Sequence, residues 1–140
     1  MRKKLRCSTI AMLAVLAACT PQTTQMDAEP WQVVAKSQPE AFLSVSGTSD
    51  DDVWFVGADH GTGPAVIHFD GQQFHRHATG HRGDLWLVQA FPNHQAILAG
   101  SDGAVLRFDG VTFERLSTPG LGRQKIFGLW GAHPNDVWFV

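Results

Sequence analysis

One six-residue pattern recurs along the chain and constrains its fold more than any other feature. Residues 52–57 read DVWFVG, residues 136–140 read DVWFV, and a weaker copy, QAILAG, occupies 95–100. A second motif, FDGQQF at 69–74, returns as FDGVTF at 108–113. All of these spacings lie close to 40 residues. A regular period of that length indicates that the chain is built from copies of one structural unit.

Every unit contains four short segments rich in Val, Ile, Phe and Trp, separated by Gly, Pro, Asn and Asp. No long segment has the 3.6-residue period of a helix, so we predict strands throughout. Four antiparallel strands in about 40 residues are typical of one blade of a β-propeller. The sequence therefore predicts an all-β fold. We expect two whole blades, Phe42 to about His77 and Leu85 to about Leu116, and part of a third that ends within 137–140.

The hairpin at the end of each unit has its own signature. Asp70-Gly71 and Asp109-Gly110 fit two-residue type I′ turns, because Asp tolerates and Gly favours positive φ. This register predicts three opposed pairs: Phe69 with Gln72, Ile67 with Phe74, and Leu106 with Phe113. The repeat positions that we expect to carry the fold are Trp54, Asp70, Gly71, Phe74, Asp109, Gly110, Phe113 and Trp138.

The order and spacing of these motifs resemble those of the degenerate propeller repeats of bacterial surface lipoproteins, which are related to neuraminidase repeats and to photosystem II assembly propellers. The resemblance covers residues 31–140 and implies a propeller fold, with little implication for function. Two departures separate this chain from the neuraminidase-type Asp box. His68 and Arg107 stand where that box has Ser, and Phe74 and Phe113 stand where it closes with Trp.

The N-terminus has the composition of a secretion signal. Residues 2–6 are mostly basic, and residues 8–18 form an apolar run that is too short to cross a bilayer. Leu16-Ala17-Ala18-Cys19 resembles the lipobox of bacterial lipoproteins, which implies that Cys19 is lipidated. We therefore assign residues 1–18 to a signal peptide and expect the lipid on Cys19 to hold the protein at the cell envelope.

The residue after the lipobox and the segment beyond it refine this prediction. Thr20 stands where lipoproteins retained in the inner membrane of Gram-negative cells carry Asp, and this favours the outer membrane. Residues 19–30 are polar and without a period, as expected of a flexible tether. The repeats then occupy 31–140. Trp31 to Val34 align with a final strand of the unit, and together with the partial third unit they suggest the N-terminal part of a longer protein.

Charge argues against a nucleic-acid partner. The chain has 11 basic and 13 acidic residues, and four of the basic ones lie in the first six positions. Removal of the signal would leave a clearly acidic protein, without the basic surface that phosphate binding requires.

Histidines and carboxylates are the candidate metal ligands. His68, His75 and His77 fall on one predicted sheet face and are weak candidates for a Zn²⁺ or Cu²⁺ site. Their equivalents in the next unit include Arg107 and Glu114, an expected exposed ion pair, so we interpret the face as solvated and predict no metal or cofactor. Residues 50–52 are three aspartates that we interpret as a turn.

Candidate catalytic residues are not apparent. The chain has no Tyr for a sialidase-like nucleophile, and its serines do not lie in a nucleophile-elbow pattern. Trp54, Trp86, Trp130 and Trp138 lie in predicted strands, where we expect them in the core.

The sequence favours a non-catalytic binding or scaffold module with a protein or glycan ligand. The alternative is a glycan-active hydrolase whose catalytic residues lie in blades beyond this sequence.

Overall fold

A computed structural model of the protein describes residues 33–140. The predicted signal peptide, Cys19, the tether and Trp31 lie outside these residues. Within them, the only helical element is a single 3₁₀ turn at Ser101–Gly103, and no helix is long and apolar enough to cross a membrane. The described chain is all-β, as the sequence predicts.

Two four-stranded antiparallel sheets and one hairpin make up the fold. Sheet A contains, in spatial order, β1 (Phe42–Ser49), β2 (Asp52–Asp59), β3 (Pro64–Phe69) and β4 (Phe74–Arg76). Sheet B repeats this order with β5 (Leu85–Phe91), β6 (Gln95–Gly100), β7 (Val105–Phe108) and β8 (Phe113–Arg115). Hairpin C pairs β9 (Leu129–His133) with β10 (Asp136–Phe139). The prediction of four strands per unit is confirmed.

The predicted two-residue turns at the ends of β3 and β7 are wrong. Phe69 pairs with Phe74 and Phe108 pairs with Phe113, so each loop contains four residues. The reason is the aspartate at the start of each loop. Asp70 Oδ1 accepts the backbone N–H groups of Gln72 and Gln73 at 2.9 and 2.7 Å, and Asp109 Oδ1 does the same in the second unit. This Asx geometry satisfies the loop backbone without a type I′ turn.

Sheets A and B pack face to face through a shared apolar core. Trp54, Val56 and Val66 of sheet A are fully buried and belong to one cluster with residues of sheet B. The contributing side chains of sheet B are Leu85, Val88, Ala90, Ala96, Leu98, Leu106 and Phe108, with Phe113 at the margin. The alternation of side chains along each strand directs one set to this core and the other set to the opposite face.

The opposite face of sheet B packs against hairpin C in the same manner. A second cluster joins Phe91, Ile97, Ala99 and Val105 of sheet B with Ile126. Leu129, Val137 and Phe139 of hairpin C lie against it. The three units therefore form a stack in which each unit presents equivalent residues to the unit before it.

The two ends of this stack leave apolar surface exposed. The outer face of sheet A consists of Phe42, Val45, Phe55, Phe69 and Phe74, of which Val45 is 60% exposed. On hairpin C, Trp130 and Trp138 are 60% and 67% exposed. The prediction of a core position is therefore wrong for these two tryptophans, since no described residues cover their strands. It is confirmed for Trp54.

The prediction of a strand over residues 31–34 is not supported where the structure describes them. Val33 and Val34 form no strand and are exposed. Strand formation needs a neighbouring strand to accept the backbone hydrogen bonds, and neither residue pairs with one among the described residues.

Candidate functional site

A buried carboxylate connects the first three strands of sheet A. Asp52 opens β2 and is 3% exposed. Its Oδ1 accepts a hydrogen bond from Trp54 Nε1 at 3.2 Å and lies 2.8 Å from His68 Nε2. Thr48 Oγ1 donates to the other oxygen at 2.5 Å. Burial alone would raise the pKa of Asp52, but the hydrogen bonds from Thr48, His68 and His94 outweigh it and hold the pKa below its ordinary value.

A histidine from sheet B completes this group of polar side chains. His94 lies in the turn between β5 and β6, and its Nδ1 is 3.3 Å from Asp52 Oδ1. Both Asn93 and His94 have positive φ, at 63° and 56°. One ligand atom from each of Asp52, His68 and His94 lies within 4.8 Å of the other two. The structure therefore gathers one carboxylate and two imidazoles, from both sheets, at one point.

The three histidines that the sequence groups together do not form one cluster, although the His68 and His77 rings lie 6.3 Å apart and both pack on Trp54. His75 pairs with His68 across the strands, and its Nε2 lies 2.6 Å from Asp70 Oδ2 in an exposed pair. The His77 ring packs on Trp54 and on two phenylalanines of sheet B, Phe108 and Phe113. The expectation of a solvated face is therefore wrong at His68 and His77, because sheet B covers this side of sheet A.

The equivalent positions of the second unit behave as expected. Arg107 Nη2 donates to Glu114 Oε2 at 2.7 Å in an exposed ion pair. Aspartates 50 and 51 lie in the turn before β2, as the sequence predicts, whereas Asp52 is inside the sheet.

A polar cavity lies at the opposite end of sheet A from Asp52. It occupies about 360 Å³ between the β2–β3 loop and the segment that links β4 to β5. Arg76, His77, His81 and Arg82 contribute to its lining. The Nε2 atoms of both histidines are buried, with no hydrogen-bond partner in the described chain. Burial lowers the pKa of each imidazole, so the neutral form is favoured.

One carboxylate fixes the loops around this cavity. The side chain of Asp59 accepts backbone N–H groups from Gly61, Gly63 and Gly83 at 2.7 to 2.9 Å. These bonds lower the pKa of Asp59, and they tie the β2–β3 loop to the linker before β5. Arg82 adds a hydrogen bond to the carbonyl of Gly61. The loops around the cavity are thus held by hydrogen bonds between side chains and backbone.

Sequence reasoning missed both Asp52 and His94 as partners of His68. Asp52 follows two aspartates that form an ordinary turn and was assigned to the same turn, and His94 lies in another unit. The sequence did contain one indication that Asp52 and His68 belong together, because both differ from the second unit. That unit has Gln95, Ile97 and Arg107 at the positions of Asp52, Trp54 and His68.

Comparisons with protein-family models, with curated proteins and with solved structures gave no match.

Proposed function

We propose that this protein is a lipid-anchored binding module of the cell envelope, built as a β-propeller, which binds a glycan without converting it. The observation that carries the proposal is the polar cavity at Arg76, His81 and Arg82, which lies between loops that the Asp59 carboxylate ties together. The anchor rests on the resemblance of residues 16–19 to a lipobox.

The propeller architecture is supported by the way in which the units stack. Residues Phe42, Val45, Phe55, Phe69 and Phe74 form the outer face of sheet A. Their equivalents in sheet B are Leu85, Val88, Leu98, Phe108 and Phe113, all of which belong to the core between the two sheets. The outer face of sheet A thus has the residues by which a unit of this repeat packs on its neighbour. We infer that a further unit of the same repeat covers it in a closed ring, which leaves no apolar blade face in water.

The chemistry of the cavity favours a saccharide. Arg76 and Arg82 place guanidinium groups at the cavity, where Arg76 also pairs with Glu40 and Arg82 donates to the carbonyl of Gly61. Carboxylate and hydroxyl groups of an acidic sugar would accept the remaining guanidinium N–H groups. Hydrolysis of a glycosidic bond requires two placed carboxylates, and no carboxylate is among the described residues that line the cavity. Binding therefore explains the lining better than catalysis.

The lipid anchor is tested in bacterial cells that express the full-length chain. We expect labelled palmitate to mark the wild-type protein and to leave Cys19→Ser unmarked, with the variant released from the membrane fraction. Cys7→Ser is the matched control, because that thiol lies inside the predicted signal peptide, and it should be labelled like the wild type. Equal labelling of all three proteins would contradict the anchor.

The ligand is tested with the full-length protein on an array of neutral and acidic saccharides. We expect saturable binding to at least one acidic glycan, weakened in His81→Ala because a side chain that lines the cavity is removed. His133→Ala is the control, since that side chain lies in hairpin C, away from the cavity. A protein that binds no glycan, or a His81→Ala variant that binds as well as the wild type, would contradict the proposal.

A further inference from the structure

We propose that Asp52, His68 and His94 form a binding site for a divalent transition-metal ion, with Zn²⁺ as the best-fitting ion. The site lies at the opposite end of sheet A from the cavity and does not depend on the proposed glycan function. Two imidazoles and one carboxylate leave a fourth position for water, which is a donor set that Zn²⁺ accepts.

The distances already approach those of a tetrahedral site. Zinc ligands at 2.0–2.1 Å from the metal lie about 3.3 Å from each other. His94 Nδ1 is 3.3 Å from Asp52 Oδ1, and His68 Nε2 is 2.8 Å from the same oxygen. The first pair is at the required separation, and the second needs to open by a few tenths of an ångström. The third pair, His68 Nε2 and His94 Nδ1, lies within 4.8 Å and has to reach the same separation on binding.

The repeat itself does not require these side chains. The second unit builds the same four-stranded sheet with Gln95 in place of Asp52 and Arg107 in place of His68. Neither replacement is a usual zinc ligand. The cluster is therefore specific to the first unit, where Asp52 also accepts the Nε1 hydrogen of Trp54, which Ile97 replaces in the second unit.

The position of His94 supports the same conclusion. The turn that contains His94 has two consecutive residues with positive φ, Asn93 and His94. This turn places His94 Nδ1 3.3 Å from Asp52 Oδ1. A non-glycine residue in this conformation costs about 1 kcal/mol or more, and such strain concentrates at binding sites. The His94 side chain is 62% exposed, and its contacts are with the cluster itself, at Asp52 and at the His68 ring. A bound metal would strengthen these contacts and would link the two sheets.

The surrounding hydrogen bonds would orient the carboxylate ligand. Thr48 Oγ1 and Trp54 Nε1 donate to Asp52 from outside the cluster and fix its plane. Such outer partners hold metal ligands in position and tune their affinity. On binding, the ion replaces the hydrogen atom between His68 Nε2 and Asp52 Oδ1, and any proton on these atoms passes to solvent.

The test is a titration of the purified full-length protein with Zn²⁺, followed by calorimetry. We expect one saturable site per chain and at least about 10-fold weaker binding in His94→Asn. Asn adopts positive φ without strain and rarely binds zinc, and the side chain is exposed, so this variant should fold. His75→Asn is the matched control, because His75 is an exposed histidine of the same sheet and pairs with Asp70. It should bind Zn²⁺ with wild-type affinity.

A second measurement reads the ligands directly. Co²⁺ in a four-coordinate site gives strong visible absorption, which we expect in the wild type and in His75→Asn and not in His94→Asn. The proposal is overturned if the wild-type protein binds no Zn²⁺ at one saturable site. It is also overturned if His94→Asn retains wild-type affinity, or if His75→Asn loses affinity to the same extent.

Discussion

The role of a single tryptophan illustrates how residue-level contacts hold the first unit. The Trp54 ring is fully buried, stacks on His68 at 4.4 Å between centroids, and packs on Phe108 across the sheet interface. Its Nε1 donates to the buried Asp52 carboxylate. One side chain therefore contributes both to the core between the sheets and to the polar cluster at the proposed metal site.

Replacement of this tryptophan by phenylalanine should separate the two contributions. We expect Trp54→Phe to lower the free energy of unfolding by about 2 kcal/mol, because Asp52 loses a charge-assisted hydrogen bond and the core loses volume. Urea unfolding followed by circular dichroism measures the change. Trp138→Phe is the control and should change stability by less than about 0.5 kcal/mol, because that ring is largely exposed. Equal losses in both variants would contradict the assignment of Trp54 to the core.

An unpaired imidazole is the second residue-level feature. His77 packs among Trp54, Phe108 and Phe113, and its Nε2 is buried without a partner. The equivalent residue of the second unit, Leu116, lies against the core there. We expect His77→Leu to raise the free energy of unfolding by about 1 kcal/mol at pH 7, because an unsatisfied buried polar atom is removed. A loss of stability in His77→Leu would contradict this expectation.

The same substitution predicts a change in pH dependence. Burial lowers the pKa of His77 below its ordinary value of 6.5 in the folded state. The folded protein therefore disfavours the protonated His77 ring. As pH falls through about 6.5, the unfolded chain takes up this proton more readily than the folded protein, and the free energy of unfolding decreases. Between pH 7.5 and pH 5.5, the urea midpoint of His77→Leu should fall less than that of the wild type. Parallel pH profiles would contradict this cause.

At the level of the strand elements, most of the fold follows from the sequence. The strands of sheets A and B were predictable because apolar residues alternate over short runs between Gly, Pro, Asn and Asp. The hairpin loops were not, because the side chain of Asp70 can bond the backbone of its own loop and so extend the loop from two residues to four. Contacts between units, such as that of His94 with Asp52, could not be predicted, because a local sequence pattern does not indicate which residues of different units meet.

The Asp70 loop supplies a test at this level. Hydrogen bonds from the backbone N–H of Gln73, the His75 ring and the N–H of Gln72 lower the pKa of Asp70 far below 3.8. A depressed carboxyl pKa stabilises the fold above the unfolded pKa, and the effect is lost as pH falls below about 4. We expect Asp70→Asn to be less stable than the wild type at pH 6 and to show a smaller drop in urea midpoint between pH 5 and pH 2.5. Identical pH profiles would contradict the role of the charge.

A pair of serine hydroxyls joins sheet A to the edge of sheet B. Ser46 Oγ accepts the backbone N–H of Ala90 at 2.9 Å, and Ser44 Oγ accepts that of Val88 at 3.4 Å. Strand β5 is at the edge of its sheet, so these bonds satisfy donors that no strand reaches. We expect Ser46→Ala to destabilise the protein by about 1–2 kcal/mol and to accelerate hydrogen exchange at Ala90. Unchanged exchange at Ala90 in Ser46→Ala would contradict the contact.

At the level of the whole molecule, the three units follow one packing rule. Equivalent positions of sheet B and hairpin C face the preceding unit, and the same positions of sheet A form an exposed aromatic face. The sequence predicted the repeat and the number of strands. It did not predict which tryptophans would be buried, because burial depends on whether another unit lies against the strand and not on the motif itself.

The central claim is that a further unit of this repeat covers the outer face of sheet A. A photo-crosslinking amino acid at Val45, which is 60% exposed in the described structure, tests it in intact cells. The same group at Val111, in an exposed hairpin loop, is the control. We predict that Val45 crosslinks to a repeat-type peptide other than its own neighbouring strand β2, which lies beside it at Phe55, and that Val111 does not. No crosslink at Val45, or a crosslink to a peptide without the repeat, would contradict it.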